Sequence, residues 1–212
     1  MEATATVAGV ESVGPDTVAI EFETPDEFDA LPGQFVRLGT TLDGETYRRF
    51  YTLSSPDVEG TFEVTVGIDE EEGGPFSAHL AALAPGDELE MTGPFGSNHY
   101  EGESRVVVLA GGPGVGPAVG IGERALADGN DVAVVYLDDD PAHETRLEEL
   151  AAVGATVIMD HADADLVVHL RDALVDADEQ VFVYGFADFV DRATEALDEL
   201  GYEGEAKVEN FG

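Results

Sequence analysis

The chain has 212 residues, no cysteine, and 46 acidic against 9 basic residues for a net charge of −37. That length admits one large domain or two of about 100 residues, each able to bury a core. The missing cysteines exclude disulfides, a catalytic thiol and a thiolate-held iron-sulfur cluster within these residues, and the charge repels nucleic acid.

Residues 1–100 read as short strands punctuated by turns: Ala5–Val13, Thr17–Glu23, Gln34–Thr40, Arg49–Leu53, Thr61–Ile68 and Glu88–Thr92. Alternation is clear in Thr61-Phe62-Glu63-Val64-Thr65-Val66, and Gly14-Pro15, Pro32-Gly33 and Pro85-Gly86 mark turns at spacings of an antiparallel barrel or sandwich. One short helix is predicted over Pro75–Leu83. After Gly93-Pro94-Phe95-Gly96 the texture changes. Arg105–Ala110, Asp131–Leu137 and Gln180–Tyr184 are continuous apolar runs, as in a parallel sheet buried on both faces. Helical patterns lie between and after them at Gly116–Gly129, Thr145–Val153, Leu166–Val175 and Phe189–Leu200. The fold class expected is a β domain (1–100) followed by a doubly wound α/β domain (101–212).

No apolar run approaches the roughly 18 residues of a membrane span, and Met1-Glu2-Ala3-Thr4 does not open a secretory signal, so a soluble cytoplasmic protein is expected. The acids interleave with ordinary apolar patterning, a combination that resembles proteins of salt-accumulating halophiles. At multimolar salt the Debye length is below about 3 Å, so the self-repulsion is screened.

Three segments carry chemistry. Val107-Val108-Leu109-Ala110-Gly111-Gly112-Pro113-Gly114-Val115-Gly116-Pro117 runs from a strand through glycines into a helix, where backbone amides can approach a pyrophosphate; the lesser alternative is a tight turn with no ligand. Arg49-Phe50-Tyr51-Thr52 places a guanidinium and an aromatic ring on one strand face with a hydroxyl beside them, a set suited to a flavin's pyrophosphate, ring and N5. Gly73-Gly74-Pro75-Phe76-Ser77 leads into a helix start, which is a second anion site or an ordinary cap. His79, at helical spacing beside Leu80 and Leu83, reads as structural.

In this order the segments resemble the ferredoxin-NADP reductase family of flavin oxidoreductases, over about Gly9 to Gly212. Pro32-Gly33-Gln34-Phe35, Arg49-Phe50-Tyr51-Thr52, Gly74 with Ser77, Gly93-Pro94-Phe95-Gly96, the Gly111–Pro117 loop and the tail Glu209-Asn210-Phe211-Gly212 carry the likeness. The resemblance implies an antiparallel Greek-key barrel holding FAD, an NAD(P)-binding α/β domain, and hydride transfer between NADH or NADPH and the flavin. It implies flavin contacts from Arg49, Phe50, Tyr51, Thr52, Thr65, Val66, Gly67, Gly73, Gly74, Phe76 and Ser77. It assigns nicotinamide dinucleotide contacts to Gly111, Gly112, Gly114, Val115, Gly116, Pro117, Asp138 and Gly185. Thr52 would touch the flavin N5, Phe211 would cover one flavin face and Glu209 would handle a proton. Where the family has a cysteine before the last-strand glycine, this chain has Tyr184 before Gly185.

Asp138-Asp139-Asp140 after the second α/β strand favours a free ribose 2′-hydroxyl and so NADH, while Arg146 leaves a 2′-phosphate open. Electrons would leave to a separate acceptor, a ferredoxin, a free flavin or an oxygenase component. The competing reading is a non-catalytic flavin or nucleotide module.

Overall fold

In the computed structural model, which describes residues 1–68, 74–175 and 179–211, the first strand serves two neighbours in turn. β1 (Glu2–Gly14) pairs through Glu2–Thr6 with β6 (Glu88–Phe95) and from Val7 onward with β2 (Thr17–Glu23), with irregularities at Val7/Gly9 and Ser12/Gly14 that bend it. With β3 (Phe35–Leu42), β4 (Glu45–Thr52) and β5 (Thr61–Gly67) it forms an antiparallel sheet ordered β4-β3-β6-β1-β2-β5. A Leu53–Val64 bridge and a Ser54 N–H donating to Glu63 O at 2.8 Å bring the two edges together, so the sheet closes as a barrel. Alternate residues point inward, and Ile20, Phe22, Leu38, Phe62, Leu89 and Met91 fill the interior. Helix α1 (Gly74–Ala81) seats Phe76 and Leu80 on this core. Gly73 lies outside the described residues.

The second half is a parallel sheet ordered β11-β10-β7-β8-β9, from β7 (Arg105–Gly111), β8 (Asp131–Leu137), β9 (Thr156–Asp160), β10 (Gln180–Gly185) and β11 (Lys207–Asn210). Helices α2 (Val115–Ala127) and α3 (Glu144–Ala152) cover the face carrying Val106, Val108 and Ala110. Helices α4 (Leu166–Ala173) and α5 (Ala187–Leu200) cover the face carrying Val107 and Leu109. Both faces being buried explains why these strands are continuous apolar runs. Two strands escape the sequence patterns. β9 is a half-exposed edge whose Thr-Val-Ile-Met-Asp run follows a helix without alternation, and β11 is a polar four-residue edge. β4 starts at Glu45, ahead of the predicted Arg49, because its outer face is exposed and shows no apolar period.

The halves meet along a close seam. An added Cβ at Gly116 would come within 2.5 Å of Thr65 Oγ1, and one at Gly120 within 2.9 Å of the Ser54 backbone, so these glycines let α2 lie directly on the barrel. His143, a left-handed residue (φ 56°) capping α3, donates its backbone N–H to Val13 O at 2.8 Å and shares a buried 2.8 Å hydrogen bond between its Nε2 and Thr65 Oγ1. Arg146 donates to Glu123 Oε1 and Oε2 (both 2.7 Å), Glu63 Oε1 (2.8 Å) and Ser54 O (2.7 Å). Its guanidinium is thereby committed to the seam, which closes the expectation that Arg146 reaches a 2′-phosphate. Burial pushes the Glu63 carboxyl up while Arg146 and Ser54 pull it down, so removing the arginine would strand a buried charge.

Burial, followed by the charge of Arg146, lowers His143 to about 3 from its ordinary 6.5. Between those values the unfolded chain binds a proton that the folded chain refuses, so this residue's contribution to stability falls as pH drops below about 6.5. In multimolar KCl, where carboxylate repulsion is screened, Tm is expected to fall less between pH 7 and 4.5 in His143→Gln than in the parent. A difference of about 2–4 °C is expected per kcal/mol; thermal circular dichroism with equal slopes for the two proteins would remove His143 from this account.

Candidate functional site

Chain order in the second sheet runs from β7 outward through β8 to β9, then returns to β10 on the other side of β7. This reversal leaves a crevice at the carboxyl ends of β7 and β10, which are Gly111 and Gly185, the position where open α/β sheets take ligands. The barrel lies across from it. Between the two is a cleft of about 580 Å³.

From the barrel, the cleft is lined by Arg49, Phe50, Tyr51 and Thr52 of β4, by Thr65, Val66 and Gly67 of β5, and by Phe76 and Ser77 of α1. Arg49 and Tyr51 share the face of β4 that looks into the cleft, as strand alternation requires. Phe50 points the other way: it is 60% exposed and stacks edge-on with Phe35 (5.5 Å) and Phe95 (6.1 Å), so it forms a rim and not a floor. Tyr51 packs at 6.5 Å from the Phe76 ring, and burial raises its phenol well above the ordinary range. Ser77 donates to Gly67 O at 3.3 Å, tying α1 to β5. Gly74 sits at φ 66°, and the first-turn N–H groups of α1 have no intrahelical partners.

From the second half, Pro113, Pro117 and Asp138 line the cleft, with Asp140 beside them and Asp16 and Thr17 arriving from the barrel. Most of the glycine loop lies behind that wall and serves packing. Added Cβ atoms at Gly111 and Gly185 would meet the Phe189 ring at 2.5 and 2.7 Å, and one at Gly114 would strike the Tyr184 carbonyl. Val115 and Gly116 are fully buried in the same turn. Gly112, at φ 56°, is the glycine of this loop with open space where a Cβ would stand. The Asp138 carboxylate accepts from Tyr136 Oη (2.9 Å) and Asp140 N (3.0 Å), which fixes its orientation.

The C-terminal strand closes the site. Burial pushes the Glu209 carboxyl up to about 7, with the nearby Thr52 hydroxyl pulling the other way. Phe211, held by its N–H on Gly185 O at 3.0 Å, meets Phe186 edge-on at 6.2 Å, and both rings line the cleft. Phe186 (54% exposed), Asp16 and Thr17 were not foreseen as site residues. Phe186 carried the one available signal, an aromatic directly after Gly185 at a strand end. Tyr184 is buried: its hydroxyl donates to Asn98 O at 3.3 Å and stands 2.7 Å from where a Gly33 Cβ would be. It fills the seam below the cleft.

The arrangement suits an extended dinucleotide pair. Arg49 is the one cation among the described lining residues, and with the α1 start it favours phosphate at the barrel end. Asp16, Asp138 and Asp140 disfavour it at the other. Aromatic Tyr51 and Phe211 can enclose a planar ring system, so the residues present fit a flavin.

Residues 4–100 match the family model described as the oxidoreductase FAD-binding domain. The chain is 30% identical over 156 residues to NADH-cytochrome b5 reductase 3 of Mus musculus, covering 60% of this chain and 52% of that protein. It is 30% identical over 149 residues to the NADH nitrate reductase of Lotus japonicus, covering 59% and 17%. The chain thus spans about half or less of these relatives' lengths. Among solved structures, a ferredoxin NADP+ reductase from Neisseria gonorrhoeae with bound FAD and NADP superposes with a TM-score of 0.79 at 18% identity, covering 100% of this chain and 99% of that one. The cytochrome b5 reductase domain of Ulva prolifera nitrate reductase gives 0.80 at 20% identity, covering 100% and 97%. The first half thus matches an oxidoreductase FAD-binding domain, and the whole chain shares the two-sheet fold of these reductases.

Proposed function

We propose that this chain is a flavin-dependent NAD(P)H oxidoreductase, with residues 1–100 as the FAD domain and 101–212 as the nicotinamide dinucleotide domain. The observation that carries the reading is the shared cleft, where Arg49, Tyr51, Thr52 and Ser77 face Pro113, Pro117 and Asp138 with Phe211 between. When bound, a flavin supplies a centre that takes up a hydride and releases electrons singly or in pairs. Arg49 and the α1 start hold its pyrophosphate, Tyr51 orients its ring, and Pro113 and Pro117 shape the opposite wall for the dinucleotide. Phe186 and Phe211 exclude water. Glu209, protonated below about pH 7, holds a proton that Thr52 can relay at its hydroxyl.

The acceptor is proposed to be a separate electron carrier, a ferredoxin or another acidic redox protein, working in a salt-rich cytoplasm. The relatives named above carry cytochrome b5 or nitrate in their names, which supports an acceptor beyond the flavin without selecting one. Among the described residues no helix is long and apolar enough to cross a membrane. Asp16, Asp138 and Asp140 support NADH over NADPH, since a 2′-phosphate placed there would meet carboxylates.

Anaerobic titration with NADH in multimolar KCl is expected to bleach the flavin band near ~450 nm. A yellow protein that neither NADH nor NADPH bleaches would point to the non-catalytic module, and one that takes up no FAD would refute the flavin assignment. The parent rate is expected to decline as pH rises through about 7 and Glu209→Gln to abolish that decline; an unchanged pH–rate profile would acquit Glu209. Asp138→Arg should raise the NADPH to NADH ratio of kcat/KM by about tenfold, equivalent to about 1.4 kcal/mol, and steady-state kinetics showing no change would reject the acidic wall as the selector.

A further inference from the structure

Lysine occurs once in the chain, at Lys207 on β11. Its ammonium donates to His99 O at 2.6 Å, Glu101 Oε2 at 2.8 Å and Glu103 Oε1 at 2.6 Å, which uses all three N–H groups, and it stands 5.1 Å over the Phe182 ring. The side chain is only 14% exposed. The acceptors all belong to the connector between β6 and β7, and a second tie joins the same pieces, Asn98 Nδ2 donating to Val208 O at 3.0 Å.

The strand so fastened is short, though Val208 packs on the core and Phe211 N–H holds Gly185 O beyond its end. β11 is four residues long, polar, and hydrogen-bonded to β10 on one side only. In such an edge strand the register is weakly specified, and a slip of one residue turns every side chain to the opposite face. Lys207, Glu209 and Phe211 lie at alternate positions and so share one face. The pairing of Lys207 with Phe182 and Glu209 with Tyr184 thus sets whether Glu209 meets Thr52 and Phe211 meets Phe186. A lysine that only solubilised an acidic surface would be exposed and unsaturated.

We propose that Lys207 is a positioning residue: by clamping β11 to the connector it fixes the strand's register and seats Glu209 on Thr52 and Phe211 over the cleft. The clamp holds whatever the chemistry; its catalytic consequence rests on the function proposed above. The charged groups facing Lys207 are Glu101 and Glu103 from the connector. The neutral Thr52 hydroxyl from β4 and the Tyr184 phenol from β10 face Glu209.

The test is the titration of Glu209 in the full-length chain without added cofactor, by carboxyl-13C glutamate NMR in multimolar KCl, its signal identified by its loss in Glu209→Gln. In Lys207→Met, release of the strand exposes Glu209, and its midpoint is expected to drop by at least about one unit toward the ordinary ~4.3 of a free glutamate. Lys207→Arg, which can still span the carboxylates, should restore most of the shift. A midpoint in Lys207→Met within about 0.3 units of the parent would overturn the proposal. Should Lys207→Met fail to fold by near-ultraviolet circular dichroism, Asn98→Ala, which cuts only the second tie, is expected to move the midpoint in the same direction by less, and no movement there would overturn it too. With NADH, Lys207→Met should lose about tenfold in kcat at unchanged KM. Failure of NADH to reduce the parent protein would refute the proposed function, while the cofactor-free titration would still decide the clamp.

Discussion

The distance between the barrel and the parallel sheet is set where α2 lies on β5, and the rest of the molecule is arranged around that contact. Gly116 and Gly120 remove the side chains that would hold the two apart, so Thr65 Oγ1 and the Ser54 backbone sit against the helix itself. Contact this close buries polar groups, and each finds a partner. Thr65 takes the His143 ring, while Ser54 O and the Glu63 and Glu123 carboxylates take Arg146. Among the described residues no buried side-chain nitrogen or oxygen lacks a hydrogen bond. A seam satisfied in this way is stiff, because moving one half strands charge in a region of low dielectric. The cleft is lined from both halves, so its width is fixed by the same contact.

Against a net charge of −37, the few cations work as structural pins. Arg105 pairs with Glu179 beneath the parallel sheet, Arg146 joins the two halves, and Lys207 ties the last strand to the connector. These pairs are partly buried, so they survive the salt that screens exposed charge. Arg49 is different: it stands exposed in the cleft, and its one described bond is to the neighbouring Arg48 carbonyl at 3.1 Å. A cation left free on a surface otherwise crowded with carboxylates polarises the cleft. Phosphate is favoured beside β4 and α1 and disfavoured beside Asp138 and Asp140.

Much of this was legible in the chain. Continuous apolar runs gave away the doubly covered sheet, since burial on both faces leaves no polar alternation, and the turn-punctuated first half announced an antiparallel barrel or sandwich. The placing of Arg49 and Tyr51 on one face followed from strand period alone. The glycine loop was found but its roles were not separable. Whether a glycine admits a ligand or a neighbour depends on what lies opposite, and for Gly111 and Gly185 it is Phe189. The rim position of Phe50 and the seam position of Arg146 were hidden for the same kind of reason. An exposed strand face has no periodic signal to mark it, and an arginine's partners lie as far as |i−j| = 92 along the chain.

The sequence by itself determined the two kinds of sheet, the acidic surface and the set of segments suited to a dinucleotide, because these follow from local period, composition and turn chemistry. Only the tertiary structure decided which of those residues meet. Glu209 is an ordinary acid in the chain and becomes one that holds its proton to about pH 7 when β11 buries it against Thr52. His143 and Lys207 likewise carry no local mark. Their roles arise from long-range packing, which desolvates a side chain and chooses its partner in one step.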